Sequence, residues 1–131
     1  MSNKVLEELR GVDLSYLSKD EAKEFTVLLE ELEKRERQEK SAASFYDFVK
    51  IIWPEFIAGA HHKRMAEAFD KIASGESKRL IINMPPRHTK SEFASYLFPA
   101  YLLGKRPKLK IIEATHTADL AVNFGRRVRD L

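Results

Sequence analysis

The sequence predicts an α/β fold, and three observations predict it. Two short, nearly continuous apolar runs, "RLIINM" at 79–84 and "KLKIIEAT" at 108–115, have the composition of strands buried on both faces of a parallel sheet. Each is followed by a segment of helical periodicity, "KSEFASYLFPAYLLG" and "TADLAVNFGRRVRDL". Strand, loop, helix, strand, helix is the order of a βαβ unit, whose crossover is right-handed. A long, charged helical pattern over residues 1–40 precedes them. The expected architecture is therefore a helical arm followed by the first βαβα portion of a parallel sheet, incomplete in this chain.

The elements follow in order. Ser18 and Glu21 have capping-box spacing and open a helix in which Ala22, Phe25, Leu29 and Leu32 form one narrow apolar stripe. From Glu33 to Lys40 the stripe ends and charge pairs alone continue the helix, so this arm reads either as a plain solvated helix with a charged linker or as a docking element. After "SAAS" the composition turns aromatic in "FYDFVKIIWPEF", a short buried helix with Ser44 as N-cap and Pro54 as terminator. "HHKRMAEAFDKIASGE" places Met65, Phe69 and Ile72 at helical spacing and ends at Gly75. In the helix after the first strand, Phe93, Ala94, Leu97, Ala100 and Tyr101 share a side, Pro99 should kink it, and Gly104 stops it.

Composition narrows the class. A chain of 131 residues, 44% hydrophobic and 33% charged, has the balance of one globular domain, and without cysteine it has neither disulfides nor a Cys-based zinc site. No apolar stretch is long enough to span a bilayer and "MSNKVLEELRG" lacks a signal-peptide core, so a cytoplasmic protein is expected. The net charge of +3 conceals an asymmetry: residues 1–40 carry −3 and residues 41–131 carry +6. The basic half suits a polyanion, nucleotide or nucleic acid.

The basic half also contains "NMPPRHTKSEF" at 83–93. It has the position of a phosphate-binding loop, between a strand and a helix, and the Lys-Ser pair that such loops end on. Met84 and Thr89 stand where G-x-x-x-x-G-K-[ST] has glycines. Pro85 and Pro86 have no amide hydrogen, which leaves the amides of Arg87 through Ser91 as donors to phosphate. Lys90 would neutralise the β- and γ-phosphates, Ser91 would ligate Mg²⁺, and Arg87 could act as an arginine finger in cis. Adjacent histidines on a helix point apart and no third ligand lies nearby, so His61 and His62 read as structural or nucleotide-flanking residues, not as a zinc site.

Three separated segments, "RLIINMPPRHTKSE", "FPAYLLGKRP" and "ATHTADLAVNFGRRVRDL", together resemble the N-terminal ATPase region of the large terminase subunit of tailed double-stranded DNA bacteriophages. That family carries a divergent P-loop, often P-P-R-H-G-K-S, and here Thr89 replaces its glycine. The resemblance covers about residues 44–131 and implies a RecA-like P-loop ATPase domain that continues past Leu131, with residues 1–43 as a helical arm and linker. It implies an ATP-driven motor that moves viral DNA into a procapsid, with ATP and Mg²⁺ as cofactors and an endonuclease domain in the parent. The implied partners are double-stranded DNA, the portal protein and the small terminase subunit, with a homo-oligomeric ring docked on the portal in the host cytoplasm and no membrane. Carried over by position, Lys90 and Arg87 are catalytic, and Pro86, Arg87, His88, Thr89, Lys90 and Ser91 bind nucleotide. Ser91 holds the metal, while Trp53 and His62 lie on the adenine side. A helicase-type nucleic-acid motor, and a non-catalytic module with a degenerate loop, are the two other readings the residues allow.

Overall fold

The computed structural model describes residues 3–131, which fold as helices joined by extended connections. The chain divides into two compact units, Met1–Ser41 and Ala42–Leu131.

In the first unit, α1 (Asn3–Arg10) and a 3-10 turn (Leu14–Tyr16) precede α2 (Lys19–Ala43). The start of α2 is a full capping box: the Glu21 amide donates to Ser18 Oγ at 3.3 Å while the Ser18 amide donates to Glu21 Oε2 at 2.9 Å. Ala22, Phe25, Leu29 and Leu32 are its half-buried side, and no α2 residue is fully buried. Farther along, Glu31–Arg35 and Glu36–Lys40 pair at i,i+4. Arg10 Nε donates to Glu33 Oε1 at 2.7 Å and ties α1 to α2.

The second unit is built on α3 (Phe45–Ile52) and α4 (Ala60–Ser74). Ser44 caps α3 by accepting from the Asp47 amide at 3.1 Å, and the helix closes at Trp53, immediately before Pro54. Phe45 is wholly enclosed, with the rings of Phe69, Phe93, Phe98 and Tyr101 edge-on to it at 5.1–5.5 Å. Its amide, one of the donors a helix start leaves over, is taken by Asp70 Oδ1 at 2.9 Å, and the Tyr101 hydroxyl donates to the same oxygen at 3.3 Å. Gly75, at φ 85, ends α4 in the left-handed conformation that glycine adopts without strain.

Residues 90–105 form one continuous helix, π-helical over Glu92–Leu97 and α-helical as α5 (Phe98–Lys105). The interruption expected at Pro99 takes this form. Pro99 has no N–H for the carbonyl four residues back, and the helix widens ahead of it, so that the Phe98 amide bonds the Phe93 carbonyl, five back. The extra residue per turn brings Phe98 into the core beside Phe93, Leu97 and Tyr101, while Ala94 and Ala100 stay half-buried. Then α6 (Ala118–Arg129) starts at Thr117, whose hydroxyl caps the Leu120 amide, and buries Phe124.

The expected α/β class does not hold: no described residue is in a β-strand, and the regular structure is helical. The βαβα portion of a RecA-like sheet is therefore replaced by helices and two extended connections. Ile81 is 85% exposed and Ile112 94%, and from the first run only Ile82 and Met84 pack against the core. A continuous apolar run indicates a segment suited to burial, but a strand also requires a neighbour for its backbone donors and acceptors. Neither run has that neighbour among the described residues.

Candidate functional site

The stretch from Asn83 to Phe93 comprises the end of the first extended connection, the turn at 86–89 and the first residues of the helix at 90–105. Two of its residues, Arg87 at φ 65 and Thr89 at φ 57, have left-handed backbones, and they are the non-glycine residues that do so among the described residues. For a β-branched side chain this conformation is an outlier, at a cost of about 1–2 kcal/mol. It persists because hydrogen bonds over-determine it. His88 Nδ1 donates to the Pro86 carbonyl at 2.9 Å, and Thr89 Oγ1 donates to the His88 carbonyl at 2.7 Å. The same Thr89 oxygen lies 2.7 Å from His62 Nε2 on α4, and His62 Nδ1 accepts the Gly59 amide at 2.9 Å.

These partners fix the protons. An amide only donates, so Nδ1 of His62 is the bare nitrogen and Nε2 carries the hydrogen. A carbonyl only accepts, so the Thr89 hydroxyl points at His88 and its lone pair faces Nε2–H. The chain of bonds from Gly59 to His88 is thereby complete, with His62 neutral. His62 is 6% exposed, with the Phe56 and Phe93 rings against it at 4.7 and 5.4 Å. Burial, and then the neighbouring His61 and His88, push its pKa below the ordinary histidine value.

Residues Met84 through Glu92 line a cavity of about 530 Å³, within the range of small-molecule sites. The first amide of the helical ladder here is that of Phe93, which donates to the Thr89 carbonyl at 2.9 Å. The amides of Thr89 to Glu92 are therefore the four donors a helix start leaves unpaired, at the positive end of its dipole. Among the described residues neither Arg87 nor Lys90 is in an ion pair. Glu92, the carboxylate closest to them in the chain, is gripped at both oxygens by the Arg127 guanidinium of α6, at 2.9 Å on Oε1. The Arg127 guanidinium also lies 4.1 Å from the centre of the Tyr96 ring. With that carboxylate engaged elsewhere, the loop presents uncompensated cations and free amides, a combination suited to phosphate.

Of the residues expected at a nucleotide site, Pro86, Arg87, His88, Thr89, Lys90 and Ser91 all line this cavity. His62 reaches the loop through Thr89 and has both nitrogens engaged within the protein. Trp53 lines a different cavity, of about 270 Å³, with Ile52, Tyr96, Leu97 and Arg127, and Glu92 borders both. His61 and His62 do not point apart as expected: their ring centres are 3.8 Å apart, and His88 is 5.8 Å from His61. Even so, no group of three or more His, Asp or Glu among the described residues is arranged to hold a metal ion.

Sequence reading missed Gly59, the N-cap of α4, whose amide donates to His62 Nδ1 three residues on; with no side chain on the glycine, only this half of a capping box is made and the sequence carries no standard signal for it. It also missed the pairing of Glu92 with Arg127, which are 35 residues apart and have no local signature. No helix among the described residues is long and apolar enough to cross a membrane. Comparison of the chain with known protein families, curated proteins and solved structures finds no match.

Proposed function

We propose that residues 84–92 bind the triphosphate of ATP together with Mg²⁺, and that the protein is the ATP-driven motor subunit of a viral DNA-packaging terminase. The observation that carries the phosphate part is the left-handed backbone of Thr89, directly before Lys90 and Ser91. A P-loop has glycine at that place because the chain must turn there through a conformation other residues avoid. Thr89 retains the conformation with a different side chain.

Lys90 balances the β- and γ-phosphate charge, and the unpaired amides at the helix start bind their oxygens. The Ser91 hydroxyl lies on the cavity wall of an exposed residue and makes no hydrogen bond within the described residues, so it would be available to hold Mg²⁺. That ion, when bound, neutralises phosphate charge. In hydrolysis the oxygen of a water molecule bonds to the γ-phosphorus as the bridging bond to the β-phosphate breaks, and Arg87 and Lys90 stabilise the charge on the transferring oxygens.

The DNA part is supported by the resemblance of the three segments and by the +6 charge of residues 41–131. On this reading the parent protein, which also carries an endonuclease domain, works in the host cytoplasm as a ring on the procapsid portal with the small terminase subunit. The reading rests on loop chemistry and on those segments, and a sheet is no part of it. Titration with a fluorescent ATP analogue and Mg²⁺ tests it: Lys90→Ala should weaken binding about tenfold or more and lower ATP turnover by about 10²-fold. Equal binding and turnover by the two proteins would refute it.

A further inference from the structure

We infer that His62 is a positioning residue of the phosphate loop, holding Thr89 in the left-handed conformation that glycine supplies elsewhere. This rests on the nucleotide reading of the loop and adds to it the group that makes a glycine-free loop workable.

Three observations support it. Thr89 is β-branched, so its backbone at φ 57 is held by its surroundings and not by intrinsic preference. Its hydroxyl makes one bond outside the loop, to His62 Nε2, and its other bond goes to the adjacent His88 carbonyl. The latter is local and moves with the loop, whereas the former fixes the loop to α4. His62 in turn has no rotational freedom to give way. Nδ1 is held by Gly59, at the N-cap of its own helix, and the ring is packed among those of His61, Phe56 and Phe93, with centres 3.8, 4.7 and 5.4 Å away. Among the described residues, the titratable neighbours that bear on the ring are His61, on the same helix, and His88, whose Nδ1 is already on the Pro86 carbonyl. His62 is also the buried polar side chain of the described residues, a placement that costs free energy unless both nitrogens are partnered.

The test is a set of variants titrated with a fluorescent ATP analogue and Mg²⁺, beside ¹⁵N NMR of the imidazoles in the unliganded wild type. His62→Ala releases Thr89 and should weaken binding about tenfold, the cost of the strained conformation expressed as an equilibrium. His62→Gln, which keeps an N–H near the position of Nε2, should stay within about threefold of wild type. The decisive variant is His62→Ala combined with Thr89→Gly. Glycine needs no anchor, so this protein should recover to within about threefold of Thr89→Gly alone. A purely structural loss from emptying the His62 site would not be repaired by a change in the loop. A double variant as weak as His62→Ala would overturn the inference, as would NMR that places the His62 proton on Nδ1. If instead the wild type binds no nucleotide while NMR finds His62 protonated on Nε2 and Thr89 left-handed, the anchor stands and the ATP reading fails.

Discussion

Thr89→Val isolates one hydroxyl. The substitution keeps the size and branching of the side chain and removes the group that accepts from His62 and donates to the His88 carbonyl, each at 2.7 Å. Each lost bond contributes about 1 kcal/mol net. The larger effect is on what remains: the Nε2–H of an enclosed His62 is left without an acceptor, which costs about 1–3 kcal/mol. The two effects overlap, because the unmet donor is one end of a lost bond, so the sum is about 2–4 kcal/mol. The strain of φ 57 is present before and after the change and cancels. If the loop relaxes to escape the unmet donor, the loss is capped near the lower figure. Trp53, the single tryptophan of the chain, lies in the unit that carries the loop, so urea unfolding followed by its fluorescence reads that unit. Thr89→Ser, which keeps the hydroxyl, should lose less than about 1 kcal/mol. A Thr89→Val protein within about 0.5 kcal/mol of wild type would refute the reasoning, since the hydroxyl would then not be holding the loop.

Arg87→Ala should leave ATP affinity within a few-fold and reduce kcat by about 10²-fold, because a guanidinium on the γ-phosphate acts chiefly as charge develops; normal DNA-free turnover would exclude that role. Because the His62 pKa in the folded protein lies below its ordinary value of 6.5, its stabilising contribution is present in full above that value and is lost as pH falls through the folded pKa. Urea midpoints should therefore fall between pH 7.5 and pH 5.5, His62→Gln should flatten that part of the profile, and an unchanged slope in the variant would assign it elsewhere. Phe45→Ala removes the ring around which five other aromatic rings are arranged and should cost about 3–5 kcal/mol in the same unfolding measurement. A loss under about 1 kcal/mol would mean that the core closes over the gap.

Local signals in the sequence were legible where local physics decides. Ser18 with Glu21, Ser44 before its aromatic helix and Gly75 after α4 each act within one turn of backbone, and each does what its spacing indicates. The apolar runs at 79–84 and 108–115 misled because apolarity reports a preference for burial and carries no information about which segment provides it. Phe98 was passed over because a strict 3.6 period puts it off the Phe93 side, and a π turn driven by Pro99 changes that period. At the site, Thr89 could be recognised as an anomaly in a glycine position, but its backbone angle and its bond to a residue 27 positions earlier are tertiary facts. Trp53 shows the converse: an aromatic residue in the expected stretch of chain lines the neighbouring cavity, because proximity in sequence does not determine which wall of a fold a ring occupies.

The π turn at Glu92–Leu97 fixes more than the shape of one helix. It sets an angular phase between two parts of one rod, the loop end that bears Lys90 and Ser91 and the core end that bears Phe98 and Tyr101. Converting the wide turn to a uniform α-helix without removing a residue would rotate one end against the other by about 100°. Either the aromatic cluster around Phe45 or the bonded path from His62 to Thr89 would then lose its register. The extra residue between Lys90 and Phe98 and the wide turn that absorbs it are therefore a matched pair: losing the wide turn alone breaks the register, whereas losing one residue together with it does not.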